Sequence, residues 1–211
     1  RVFLSWISKK AKFHTSYTHP KKKIKINSGE ITTFNTYSIV NKSKVFKLNP
    51  SINFRDGVYL GCCLPTGAGI VLNNLKNFGN NGNICIYGVG GVGVWSLLTC
   101  LYLKKKYITV IESSEKKISK LKKIIKNKNI KYLPSSKYVK NTFDVVFETT
   151  GSISALQNSI GIINNKGSVI FASHPKKGKT IKIDPFELIK GKKIFGSWGG
   201  SINFKKDLFI L

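Results

Sequence analysis

Six consecutive residues constrain this chain more than any others: Gly88-Val89-Gly90-Gly91-Val92-Gly93. They follow the short apolar run Ile84-Cys85-Ile86-Tyr87 and open a long apolar stretch from Val92 to Leu103. The glycines recur as G-x-G-x-x-G between a strand and a helix, so the chain must reverse tightly and the helix must pack hard on that strand. A second strand, Tyr107 to Ile111, ends at Glu112, roughly 20 residues beyond the last glycine. Glu115 to Lys126 predicts a helix, with Ile118, Leu121, Ile124 and Ile125 on one face and Ser113 or Ser114 as its cap. Phe143 to Phe147 reads as a strand, Ile153 to Ile163 as a helix, and Ser168 to Ala172 as another strand. This alternation implies an α/β fold: a doubly wound parallel Rossmann sheet with helices on both faces.

Within the motif each glycine has its own task. Gly88 makes the turn, Gly90 lets a pyrophosphate approach the backbone, and Gly93 lets helix and strand close up. Gly91 and Val92 belong to the same cofactor-binding set, and the helix from Val92 to Leu103 has its N-terminus facing the phosphates. Glu112 stands where the hydroxyls of an adenosine ribose would be accepted, and its charge opposes a 2′-phosphate. NAD is therefore expected over NADP, with Ser113, Ser114 and Lys116 able to soften the preference. A glycine turn without ligand and a methyltransferase-type site are the competing readings. Strand, spacing and acid together favour the dinucleotide.

Charge points elsewhere at first sight. The chain carries 36 Lys+Arg against 9 Asp+Glu, a net charge of +27. Such a surplus suits nucleic acid or an anionic membrane. Yet the cations are lysines apart from Arg1 and Arg55, and bidentate reading of bases and phosphates favours Arg. The lysines are scattered, and Lys104-Lys105-Lys106 reads as a solvated helix end. A basic nucleic-acid-binding module is the alternative from another class, and neither nucleic acid nor membrane is the expected partner. The longest apolar stretch, Val94 to Leu103, is too short to span a bilayer, and the four cysteines form no CxxC pair. This usage fits a cytoplasmic protein. The chain has no Met and begins at Arg1, and it stops in the apolar run Leu208 to Leu211, so a piece of a longer protein is expected.

Residues 1–58 read as short strands and loops: Phe3 to Ile7, Thr32 to Val40 and Val45 to Leu48 as strands, with a turn at Asn27-Ser28-Gly29. A helix is expected around Ile70-Val71-Leu72 and Leu75, ending at Phe78-Gly79.

Leu60-Gly61-Cys62-Cys63-Leu64-Pro65-Thr66-Gly67 resembles the G-C-x-x-x-T-G pattern of the zinc-type alcohol dehydrogenases, in the medium-chain dehydrogenase/reductase family. The likeness extends through Thr33 to Val40, through Lys117 after Glu112, and through Phe143 to Gly151. It continues through Phe171-Ala172-Ser173 and Gly196-Ser197-Trp198-Gly199-Gly200. The resemblance implies a partial GroES-like catalytic domain over 1–66 and an NAD-binding Rossmann domain over 67–211. It makes Cys62 a ligand of a catalytic zinc and places Thr66 beside the nicotinamide and the reacting oxygen. Lys117 and Thr150 go to the adenosine side, and Phe171, Ser173 and Trp198 to the nicotinamide side. It implies a dimer or tetramer acting on a small alcohol or carbonyl compound, with hydride transfer to or from NAD.

The departures are as informative. Residues 8–30 lack the cysteines of the family's structural zinc, so none is expected. The other catalytic-zinc ligands lie upstream of Arg1 in the family, and His14, His19 and His174 match no ligand position. The fragment is expected to bind the dinucleotide and to be inactive alone. The alternative within the family is a zinc-free quinone-reductase-like or catalytically silent relative, in which Cys62 only packs.

Overall fold

The computed structural model describes residues 1–7, 16–26, 31–75, 80–137 and 142–207. His14, the turn at 27–29, the helix end at 78–79 and the C-terminal run 208–211 lie outside the described residues. The chain divides into two compact units, one of Arg1–Pro65 joined by the stretch from Ile202, the other of Thr66–Ser201. The first boundary falls one residue from the expected one. The C-terminal stretch, expected with the second domain, groups with the first.

The first unit holds β1 (Val2–Leu4), β2 (Tyr17–Thr18), β3 (Lys25–Ile26), β4 (Val45–Lys47) and the short helix α1 (Phe54–Gly57). β1 pairs antiparallel with β4, Phe3 opposite Phe46, and β2 pairs with β3. The Phe3 and Phe46 rings stack at 5.3 Å, and Phe204 packs on Phe46 at 4.7 Å. That aromatic contact explains why the C-terminal stretch belongs here. The strand expected over 32–40 does not form. Phe34, Tyr37 and Ile39 are exposed, and local side-chain bonds hold the segment: Ser38 Oγ donates to Thr32 O (2.6 Å) and Ile39 N to Tyr17 Oη (2.6 Å). β-rich composition makes a strand only where a partner supplies the ladder.

The second unit is built on six parallel strands. α2 (Cys63–Asn74) leads into β5 (Asn83–Tyr87), α3 (Gly91–Tyr102), β6 (Tyr107–Glu112), α4 (Glu115–Ile124) and β7 (Ile130–Pro134). β8 (Phe143–Glu148), α5 (Ile153–Ile162), β9 (Ile163–Phe171), α6 (Pro185–Ile189) and β10 (Lys193–Gly196) follow. The order across the sheet is β10-β9-β8-β5-β6-β7, the doubly wound Rossmann arrangement. Side chains of β5 alternate between two cores. Ile84 and Ile86 join Ile70 of α2, Leu97 of α3 and Leu121 of α4, while Cys85 and Tyr87 join Leu156 and Ile160 of α5. Helices thus cover both faces, as a parallel sheet requires. α4 starts at Ser114, whose side chain accepts from Lys117 N, so Ser114 rather than Ser113 is the cap. α2 begins at Cys63, about two turns before the apolar run that signalled it. Lys105, expected in solvent, is buried, because the chain leaves α3 through Lys104 in the left-handed region (φ 54°) and turns back against Cys100 O.

Candidate functional site at the C-terminal edge of the parallel sheet

β5 lies where the winding reverses, between β6 and β8, so a crevice opens beyond its C-terminal end. Gly88 takes φ +87° there, a backbone that disfavours any side chain, and its N–H donates to Ile111 O at 2.7 Å. Thr149 braces the turn: its hydroxyl donates toward Tyr87 O (3.1 Å) and Gly88 O (2.9 Å). A Cβ on Gly93 would collide with Gly88 O and come within 2.6 Å of Thr149 Oγ1. A Cβ on Gly90 would meet nothing within 4 Å. Two glycines are therefore enforced by packing, and Gly90 borders open space. Gly90 is also the N-cap of α3 and offers no side chain to its first turn. Gly91 is exposed beside it, and Val92 turns its side chain onto the core, which leaves its backbone for the loop.

Glu112, at the end of β6, is buried beside this loop. One carboxylate oxygen accepts from Val89 N (3.0 Å) and Lys117 Nζ (3.3 Å). The other accepts from Ser113 Oγ (3.1 Å) and Ser114 N (3.0 Å). Burial pushes its pKa up, but the Val89 and Ser114 N–H groups and the Lys117 charge outweigh that and hold it below the ordinary value. Glu112 therefore ties the glycine loop to the start of α4 as an anion.

Beyond Gly88 and Glu112 lies a polar cleft of about 320 Å³, lined also by Ser135, Thr150, Ser152 and Asn158. Thr150 stands just past β8, and its N–H donates to Glu148 Oε1 at 2.7 Å. Its hydroxyl bonds the same oxygen. Ser173, just past β9, donates to Glu148 Oε2 at 2.8 Å. Glu148 is almost fully buried and gathers two expected site residues, yet the motif reading gave it no role. It stands in the stretch Phe143 to Gly151 that carries the family likeness, and only the register of β8 against β9, Glu148 opposite Phe171, reveals what it joins. Phe171 lies under Gly196, where a Cβ would stand 3.3 Å from its ring. Trp198 follows β10, exposed, with the edge of His174 at 5.0 Å.

Thr66 is buried in α2 with its Oγ1 unpartnered among the described residues. In the first unit, Cys62 is exposed on a cleft of about 540 Å³, and its sulfur accepts from Trp6 Nε1 at 3.2 Å. His19 Nδ1 accepts from Lys22 N in its loop. Among the described residues no three His, Cys, Asp or Glu side chains come together as metal ligands. A catalytic zinc takes three protein ligands, so the residues described here do not fit that ion. No helix among the described residues is long and apolar enough to cross a membrane.

The fold is a doubly wound α/β sheet with a crevice at its switch point, and comparison with known proteins narrows the class. Residues 91–210 match the zinc-binding dehydrogenase family, and the chain belongs to that family. The S-(hydroxymethyl)glutathione dehydrogenase of Haemophilus influenzae is 24% identical over 186 residues, covering 84% of this chain and 49% of the relative. The chain thus spans about half the length of the curated relatives it matches. Benzyl alcohol dehydrogenase from Acinetobacter calcoaceticus superposes with a TM-score of 0.74 at 23% identity, over 84% of this chain and 51% of that one. An alcohol dehydrogenase zinc-binding domain protein from Burkholderia ambifaria gives 0.65 at 19%, over 77% and 46%. These likenesses establish the fold.

Proposed function

We propose that this chain is the cofactor-binding part of an alcohol dehydrogenase-type oxidoreductase and holds NAD along the C-terminal edge of its sheet. The observation that carries the reading is the glycine loop, crowded at Gly88 and Gly93 and open at Gly90. Packing accounts for the first two; Gly90 borders space that a ligand close to the backbone would use. When bound, NAD supplies the hydride acceptor for an alcohol carbon, or the donor for a carbonyl. The backbone from Gly90 to Gly93 receives the pyrophosphate. Glu112 accepts a ribose hydroxyl in exchange for Ser113 Oγ, whose hydroxyl can turn away. Lys117 keeps that carboxylate ionised and reaches the same ribose. Thr150 lines the adenosine side, while Phe171, Ser173 and Trp198 line the nicotinamide side. The unspent hydroxyl of Thr66 is available to the reacting end.

No step is assigned to zinc. The Trp6 N–H on the sulfur of Cys62 favours, as a second reading, a zinc-free relative in which Cys62 packs. Cofactor choice tests the main reading. The Glu112 charge should make NAD bind at least about tenfold more tightly than NADP, or 1.4 kcal/mol. Calorimetric titration of both into the purified chain decides; tighter NADP would mean that Glu112 does not face the ribose.

A further inference from the structure

Glu148 joins the ends of β8 and β9, and the direction of its hydrogen bonds has a chemical consequence. A hydroxyl has one proton to donate and two lone pairs. The carboxylate takes the proton of Ser173 at Oε2 and that of Thr150 at Oε1, where it also takes the Thr150 N–H. Thr150 Oγ1 then spends a lone pair on Ser152 N at 3.0 Å. Ser173 Oγ keeps both of its lone pairs. Ser173 is half-buried at the strand ends over which a doubly wound sheet lays its ligand.

We infer that Glu148 is a positioning residue that turns Ser173 into an acceptor-only contact, so the cofactor group above β8 and β9 must bring an N–H or O–H donor. The inference rests on the dinucleotide reading and deepens it. A dinucleotide offers two such donors on that half, the carboxamide N–H of nicotinamide and the hydroxyls of its ribose. A ligand oxygen without a proton finds only lone pairs there and is disfavoured, the more so if it is anionic and faces the Glu148 charge.

Two variants separate the contributions. In Ser173→Ala the acceptor is lost while the charge stays. In Glu148→Gln the amide oxygen remains pinned by Thr150 N–H, so the amide NH₂ faces Ser173. The Ser173 proton is then released toward the ligand. Affinities of the parent and both variants are measured by calorimetry for NAD, nicotinic acid adenine dinucleotide and ADP-ribose, with melting midpoints as the check on folding. A carboxamide donor predicts that Ser173→Ala weakens NAD about tenfold and weakens neither of the other two. A sugar donor predicts that all three weaken alike. In both cases Glu148→Gln weakens NAD at least as much, and Ser173→Ala keeps the parent's melting midpoint. If the parent binds NAD and Ser173→Ala binds all three as the parent does, the inference falls and the dinucleotide reading stands. If Ser173→Ala weakens NAD and a folded Glu148→Gln does not, Glu148 does not position the contact. A parent that binds none of the three overturns the dinucleotide reading itself.

Discussion

A single methyl group separates two kinds of glycine in the loop after β5. At Gly93 it would run into Gly88 O and Thr149 Oγ1, both fixed by the turn. Gly93→Ala should therefore destabilise the fold by about 1–3 kcal/mol through overpacking, read as a lowered denaturant midpoint. An unchanged midpoint would mean that α3 does not pack so closely on β5. These glycines were legible in the sequence because their roles belong to the backbone, which motif spacing encodes directly. Glu148 was not, because its role lies in what it touches. Thr150 is two residues away, but Ser173 arrives only through the parallel register of β8 and β9.

At the scale of elements, the corner of α5, α6 and β10 depends on one carboxylate. Glu187 on α6 receives Lys190 Nζ at 2.7 Å and Lys192 Nζ at 2.5 Å, and buried Lys192 also donates to Ile160 O. Those two lysine hydrogen bonds hold the Glu187 pKa down to about 2. A depressed carboxylate stabilises the fold above its unfolded-state pKa, near 4.3, and loses that contribution as pH falls toward the folded value. Protection of the Lys190 and Gly191 amides, whose N–H groups bond Phe186 O and Leu188 O, should fall between about pH 4.3 and 2 once the intrinsic pH dependence of exchange is divided out. Glu187→Gln should show no such acid step; persistence of the step would place its origin elsewhere. This corner was nearly invisible beforehand, since α6 and β10 are short and carry no full apolar period. β7 escaped likewise: Ile-Lys-Tyr-Leu-Pro is an edge strand whose pattern is too short to stand out. β5, α3, β6 and α4 were legible because their apolar positions recur with the periods that burial on a sheet imposes. The segment 32–40 shows the converse, with strand composition and no strand.

At the scale of the whole molecule, family and fold are those of the zinc-binding dehydrogenases, while the metal site is not assembled from the described residues. One thiolate that already accepts an indole N–H offers little to offset the ion's lost water and the thiol's lost proton. The purified chain should therefore hold well under one zinc per molecule by metal analysis, and Cys62→Ala should leave that content unchanged. Stoichiometric tight zinc lost on Cys62→Ala would instead make Cys62 a ligand in this chain. The +27 charge should make binding of an anionic ligand weaken with salt without being the source of its selectivity. What would distinguish a shaped site from a basic surface is the loop at Gly90, where a methyl group meets nothing within 4 Å and, on the proposed reading, would stand in the path of a pyrophosphate. The most direct measurement is a calorimetric titration of NAD into the parent chain and Gly90→Ala at fixed ionic strength. The account predicts that the parent binds NAD and that Gly90→Ala, melting at the parent's temperature, binds at least about tenfold more weakly. Equal affinity for the two, or no binding to the parent, would contradict it.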